Sequence, residues 1–122
     1  MLNILLIFIG GGIGAVLRFL LTLQAIKHFS SPHYGTLIIN IVGSLFLGYV
    51  LALTLSKPEI VTPNVKMFLA VGIAGGFTTF STFSFEVLML FKQGQFIQAM
   101  LYVLLSPLLA LIAAYWGYSA GK

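Results

Sequence analysis

The sequence contains no cysteine and only two acidic residues, Glu59 and Glu86, and charged residues of either sign fill 7% of its 122 positions. Without cysteine there is no disulfide and no thiolate metal site, and the redox compartment is left open. Charge this scarce excludes an ordinary water-soluble domain, which carries about 25% charged residues. The net charge of +4 is spread thinly over the chain and forms no basic patch of the kind that holds nucleic acid. No nucleotide-binding glycine motif is visible either, and no carboxylate lies at the centre of a long apolar run.

What the chain has in abundance is apolar residues, 60% of the total, gathered in long runs rather than in one-sided stripes. A membrane-spanning helix needs about 20 such residues. Four segments qualify, at about 2–25, 35–55, 65–91 and 96–119, separated by the short loops AIKHFSSPHY, SKPEIVTPN and KQGQ. The expectation is an all-α membrane protein, a single integral membrane domain over residues 1–122. Leu2 to Phe8 has no basic residue before it, and its apolar run continues past Gly14 without an evident cleavage site. It reads as a retained first helix, not a signal peptide. With the N-terminus inside, Lys57, Lys66 and Lys122 fall on one side, and Arg18, Lys27 and Lys92 on the other. The usual excess of inside positive charge is absent, so insertion in both orientations, and an antiparallel homodimer, are compatible with the sequence.

Polar residues inside lipid-spanning helices usually face a bundle interior or a cavity. In the first segment Gly11, Gly14, Ala15, Arg18 and Thr22 share a face at helical spacing. Small residues there allow close approach of another backbone. Arg18 either snorkels to the lipid phosphates or serves a pore mouth or dimer interface. In the second segment Thr36, Asn40, Gly43, Ser44 and Leu47 share a face. The Asn40 amide either bonds between helices or donates to something passing through. In the fourth, Tyr102 and Ser106 form a short hydroxyl track ahead of Pro107, whose missing N–H releases the Val103 carbonyl.

The third segment is unusual: GGFTTFSTFSFE, Gly75 to Glu86, joins two glycines to a run of hydroxyls and phenylalanines. Flexible and β-branched residues together weaken a helix, which predicts a break mid-membrane near Gly75 to Thr79. Irregular backbone at that depth must be buried or line a cavity, and freed carbonyls there can coordinate a cation. Phe80 and Phe83 share a face with Thr79 and Ser84; their rings either pack as core or present their edges, which are electropositive and suit a dehydrated anion. Ser81 points elsewhere, and Thr82 lies towards Glu86, which is expected near a mouth because Lys92 is close.

Three pieces in this order, GGGIGAVLRF (Gly10 to Phe19), GTLIINIVGSLFLG (Gly35 to Gly48) and GIAGGFTTFSTFSFE (Gly72 to Glu86), resemble the Fluc (CrcB) fluoride channels, small bacterial membrane proteins that export fluoride. The four-segment layout and length agree from end to end. The resemblance implies no enzymatic activity but a passive fluoride channel of the bacterial inner membrane, a multi-pass, dual-topology antiparallel homodimer with two separate pathways. It implies a structural, non-transported sodium ion (Na+) on the two-fold axis, held by the backbone carbonyls of Gly75 and Thr78 of each subunit. The fluoride pathway would fall on Asn40, Phe80, Phe83, Tyr102 and Ser106, with Arg18 near the aqueous vestibule and Thr79, Ser81 and Thr82 as further contacts of lower rank. A serine found in some relatives falls at Ala110, where this chain has no hydroxyl. The main alternative from another class, a small four-helix proton-coupled exporter, requires a carboxylate deep in the bundle. A second, a non-transporting membrane subunit, leaves the broken helix unexplained.

Overall fold

The computed structural model describes residues 1–122, all helical apart from short connections and one interruption. Helix α1 is Leu2–Phe29, α2 is Pro32–Ser56, α3 covers 63–77, α4 is Phe80–Lys92 and α5 is Phe96–Ala120. With α3 and α4 taken together as Pro63–Lys92, four segments are long and apolar enough to cross a membrane. Only 23 of the 122 residues are buried, while large apolar side chains are exposed on every helix. Such a surface is stable only against lipid or another apolar protein.

The helices overrun the expected boundaries because the connections are tighter than the loop composition indicated. Between α1 and α2 only Ser30 and Ser31 leave the helices. Ser30 adopts the left-handed conformation (φ 56°) and donates its N–H back to the Ile26 carbonyl, and Pro32 opens α2 with its preset φ. Between α4 and α5, Gly94 supplies the positive φ (74°) that the KQGQ turn requires. The longer connection 57–62 ends at Thr62, whose hydroxyl accepts from the Val65 N–H and caps α3.

Two close-packed pairs, α1 on α3 and α2 on α5, set the architecture. A methyl group at Gly10 would lie 2.5 Å from the Phe68 carbonyl oxygen, and one at Gly14 would collide with the Ile73 carbonyl. Gly48 and Gly117 likewise let α2 and α5 touch backbone to backbone, at Ala114 and Leu45 respectively. With no hydrophobic drive between helices in lipid, this close contact is what holds them.

Helix α3 departs from expectation. Met67–Ala74 is π-helical, and α-helix resumes through Gly75–Phe77. The interruption comes after the two glycines, at Thr78 (φ −79°, ψ 156°) and Thr79 (φ −151°, ψ 121°). Gly75 itself keeps α-helical dihedrals. At Gly76 the missing side chain serves packing, because any Cβ there would strike the Gly11 backbone. The break therefore lies at the far end of the expected interval, Gly75 to Thr79.

Candidate ion pathway at the helix break

The break is fixed by a side chain from another helix. Asn40 on α2 donates from Nδ2 to the Thr79 carbonyl at 2.9 Å, and its Oδ1 accepts the Thr79 N–H at 2.8 Å. The amide thus pairs with the peptide of Thr79 as a strand neighbour would, replacing two helical hydrogen bonds at the one point where helix geometry fails. Both interhelical bonding and donation to a passing ion were open for Asn40. The structure commits one N–H to Thr79, and an amide nitrogen carries a second.

The consequence reaches the neighbouring carbonyls. In an unbroken helix the Thr79 N–H would serve the Gly75 carbonyl, and the Thr82 N–H that of Thr78. The first goes to Asn40, and the second to Thr79 Oγ1 at 3.2 Å, the N-cap bond that starts α4. Gly75 and Thr78 therefore lose their helical donors. The Gly76 carbonyl is taken over by Arg18, whose Nε donates to it at 3.1 Å across 58 positions. Half-buried Arg18 is in this chain a clasp between α1 and the break.

An open cleft of about 360 Å³ borders the break, lined by Asn40, Ser44, Thr78, Thr79, Phe80, Phe83 and Ser106, with Pro107 and Ala110 on its α5 side. Ser106 is 4% exposed. No enclosed side-chain oxygen or nitrogen lacks a partner, and the Ser106 hydroxyl, which bonds to no other protein group, opens into the cleft. Phe80 is 78% exposed on the flank of the single chain. Its ring lies 5.7 Å from that of Phe83, which meets Tyr102 edge-on at 4.9 Å. The cleft is lined by hydroxyls, an amide and two phenylalanine rings, and no charged residue lines it.

Of the remaining expected residues, Thr82 turns away from the cleft to line a second cavity, its Oγ1 accepting from Thr79 Oγ1 at 3.1 Å. Ser81 is exposed, 3.4 Å from Thr79 Oγ1. Tyr102 is directed at Glu86: Tyr102 Oη donates to Glu86 Oε2 at 2.7 Å, and Thr36 Oγ1 to Oε1 at 2.8 Å. Sequence reasoning placed Glu86 near a mouth by its distance from Lys92. It does border the second cavity, of about 720 Å³, which opens at the α1–α2 and α4–α5 turns, but it is buried, with both oxygens bonded. Thr36 and Ser44 were on the polar face of α2 without an assigned role. The faint signal for the Glu86 cluster was spacing: Thr36 precedes Asn40 by one turn, as Thr82 precedes Glu86 and Tyr102 precedes Ser106.

The profile of the "CrcB-like protein, Camphor Resistance (CrcB)" family matches residues 5–118. A protein of Shewanella sp. (strain W3-18-1), named fluoride-specific ion channel FluC, is 42% identical over 118 residues, covering 96% of this chain and 94% of that one. A protein of the same name from Elusimicrobium minutum (strain Pei191) is 44% identical over 117 residues, covering 93% and 88%. With four membrane-capable helices and matches along almost its whole length, this chain belongs to the CrcB family of multi-pass membrane proteins.

Proposed function

We propose that the chain is a fluoride channel, a passive, electrogenic export route for cytoplasmic fluoride in the bacterial inner membrane. The observation that carries this reading is the cleft at the break, where hydroxyl and amide donors gather with two phenylalanines and no acid among them. Fluoride is small and strongly hydrated, so a path must return several close hydrogen bonds for the water it removes. Ser106 and Ser44 hydroxyls, the second N–H of Asn40 and the edges of Phe80 and Phe83 supply them, and hydrogen bonds to a charged partner are worth about 1.5–3 kcal/mol each. Thr79, held by Asn40, keeps the wall rigid, which suits selection of one small ion. A negative-inside potential contributes about 2.3 kcal/mol per charge per 100 mV outward. A pore then needs no catalytic residue and no coupled proton.

The cleft is open on one side in a single chain, and Phe80 stands exposed beside it. A second copy would close it, and the three-to-three distribution of basic residues over the two ends supports an antiparallel, dual-topology homodimer with two pathways. In that dimer the break of each subunit would face its mate. The freed carbonyls of Gly75 and Thr78 are hard oxygen ligands without helical donors, and exposed Gly75 leaves room for a neighbour, so this residue set fits a structural sodium ion. When bound, that ion would neutralise the clustered carbonyl dipoles and tie the breaks together.

The test is fluoride efflux from liposomes holding the purified protein, read with a fluoride electrode. Efflux that waits for valinomycin to carry potassium, without matching chloride release, is the expected result. Efflux without valinomycin would indicate proton-coupled exchange instead. No efflux from folded dimer would overturn the channel reading.

A further inference from the structure

The cavity that holds Glu86 has a feature the pathway above does not use. At its rim stand His33 on α2 and Gln98 on α5. His33 Nδ1 lies 2.5 Å from Ser31 Oγ, and His33 Nε2 lies 2.9 Å from Gln98 Nε2. An amide nitrogen only donates. In this arrangement Nε2 is therefore the acceptor, Nδ1 carries the proton and gives it to Ser31, and the ring is neutral. The ring packs 4.5 Å from Tyr34 and 5.7 Å from Tyr102. Tyr102 in turn touches Phe83 and bonds to Glu86. A single line of contacts thus runs from the rim to the wall of the cleft.

A proton added at Nε2 changes two things at once. The ring gains a positive charge, and Nε2 becomes a donor that can no longer face an amide nitrogen. Gln98 must then rotate to offer Oε1, which leaves its two N–H groups for the cavity. Tyr34 and Tyr102 are neutral hydroxyl donors, and the Ser30–Ser31 turn and Pro32 bring no charge. On α4 the charged residues are Glu86, both of whose oxygens are engaged by Thr36 and Tyr102, and Lys92, which is exposed and does not line the cavity. We propose that His33 and Gln98 form an anion-capture site at the mouth of the pathway, which takes fluoride more readily when His33 is protonated. The proposal rests on the channel reading and names where its ion enters. Imidazole is the side chain whose ordinary titration spans pH 5 to 8.

Valinomycin-dependent fluoride efflux is measured at symmetric pH 7.5 and pH 6.0, after subtraction of the leak from protein-free liposomes. At subsaturating fluoride the intact protein is expected to speed up about fivefold at pH 6.0, what one positive charge about 4 Å from an anion is worth in water. His33→Gln, normalised to its own rate at pH 7.5, should lose that rise. Gln98→Leu leaves the charge on His33 and should keep the rise; His33→Asn, which should lose it, serves as a second variant if His33→Gln fails to assemble. Equal rates of the intact protein at both pH values would overturn the capture site while leaving the channel reading intact. So would a full rise retained in His33→Gln. Absence of valinomycin-dependent efflux at either pH would remove the channel reading, and this proposal with it.

Discussion

The two cavities of this chain handle polar groups in opposite ways. In the cleft at the break, hydroxyl and amide donors stand partly unspent, the Ser106 hydroxyl wholly so, and no acid is present. In the end cavity an acid is present, and the donors around it are spent: Thr36 and Tyr102 each give a proton to Glu86. One site keeps donors to spare beside no acid, and the other holds an acid whose two oxygens are both engaged. If the cleft is the pathway proposed above, scarcity of acid is not enough to make an anion path. What matters is whether each donor still has a proton to give.

The sharpest way to break the contrast is to put a carboxylate in the cleft. Asn40→Asp removes the Nδ2 donor to the Thr79 carbonyl and sets a charge against that oxygen and against any entering anion. An uncompensated charge of this kind costs about 3–5 kcal/mol, so flux should fall on the order of 100-fold or more in the efflux assay. Retained flux would mean that Asn40 only packs. Phe80→Ile, which takes away one ring edge without adding charge, should also cut flux severely while a dimer still elutes on size-exclusion chromatography, and unchanged flux in both variants would sink the pathway assignment.

A subtler test works on the covered acid. Thr36→Val strips one donor from Glu86 and exposes half its charge to the pathway. Loss of a hydrogen bond to a buried charged group is worth about 1.5–3 kcal/mol, which translates to a roughly tenfold or greater drop in flux. If the covering argument holds, adding Glu86→Gln to Thr36→Val restores part of that flux, because the uncovered charge is gone. A double variant worse than Thr36→Val would instead mean that the carboxylate itself is needed by the moving ion.

How far the sequence reaches is plain from where it stopped. Four spans were legible because each is a long apolar run, and lipid leaves a chain of that composition few choices. Their ends were not, because a single left-handed Ser30 and Pro32 turn the chain in two residues where AIKHFSSPHY looked like ten. The existence of a break was readable from GGFTT, but its position was not. Asn40, 39 positions away, decides it by competing for the peptide of Thr79. The glycines, the obvious suspects for a break, are used for contact with α1. The π-helical stretch Met67–Ala74 has no marker in its own composition. Most of the residues expected in the pathway do meet around one cleft, whereas Arg18, Ser81, Thr82 and Tyr102 have other partners. The burial of Glu86 was out of reach because its two donors come from α2 and α5, and local spacing sees one helix at a time.

The smaller effects refine the cleft. Ser106→Ala removes a hydroxyl that holds no protein partner, so the fold should be untouched and the melting temperature unchanged within error. If that hydroxyl meets the ion, the lost bond, worth about 1 kcal/mol net, lowers flux by about fivefold. A rate equal to that of the intact protein would make Ser106 a bystander. Ala110→Ser is the converse and the gentlest change. Ala110 borders the same cleft one helical turn beyond Ser106, so the new hydroxyl extends the row of donors away from Phe83. A serine mid-helix can instead return its proton to the carbonyl four residues back, which is Ser106, and only the fraction of time spent facing the cleft helps an ion. The expected gain is therefore at most about twofold, the share of a 1 kcal/mol bond left after that competition. It should appear in Ala110→Ser alone and vanish in the Ser106→Ala background if the two hydroxyls act on one ion in succession. If it persisted there unchanged, Ala110 would sit on a separate contact, and the row of donors along α5 would not be a single path.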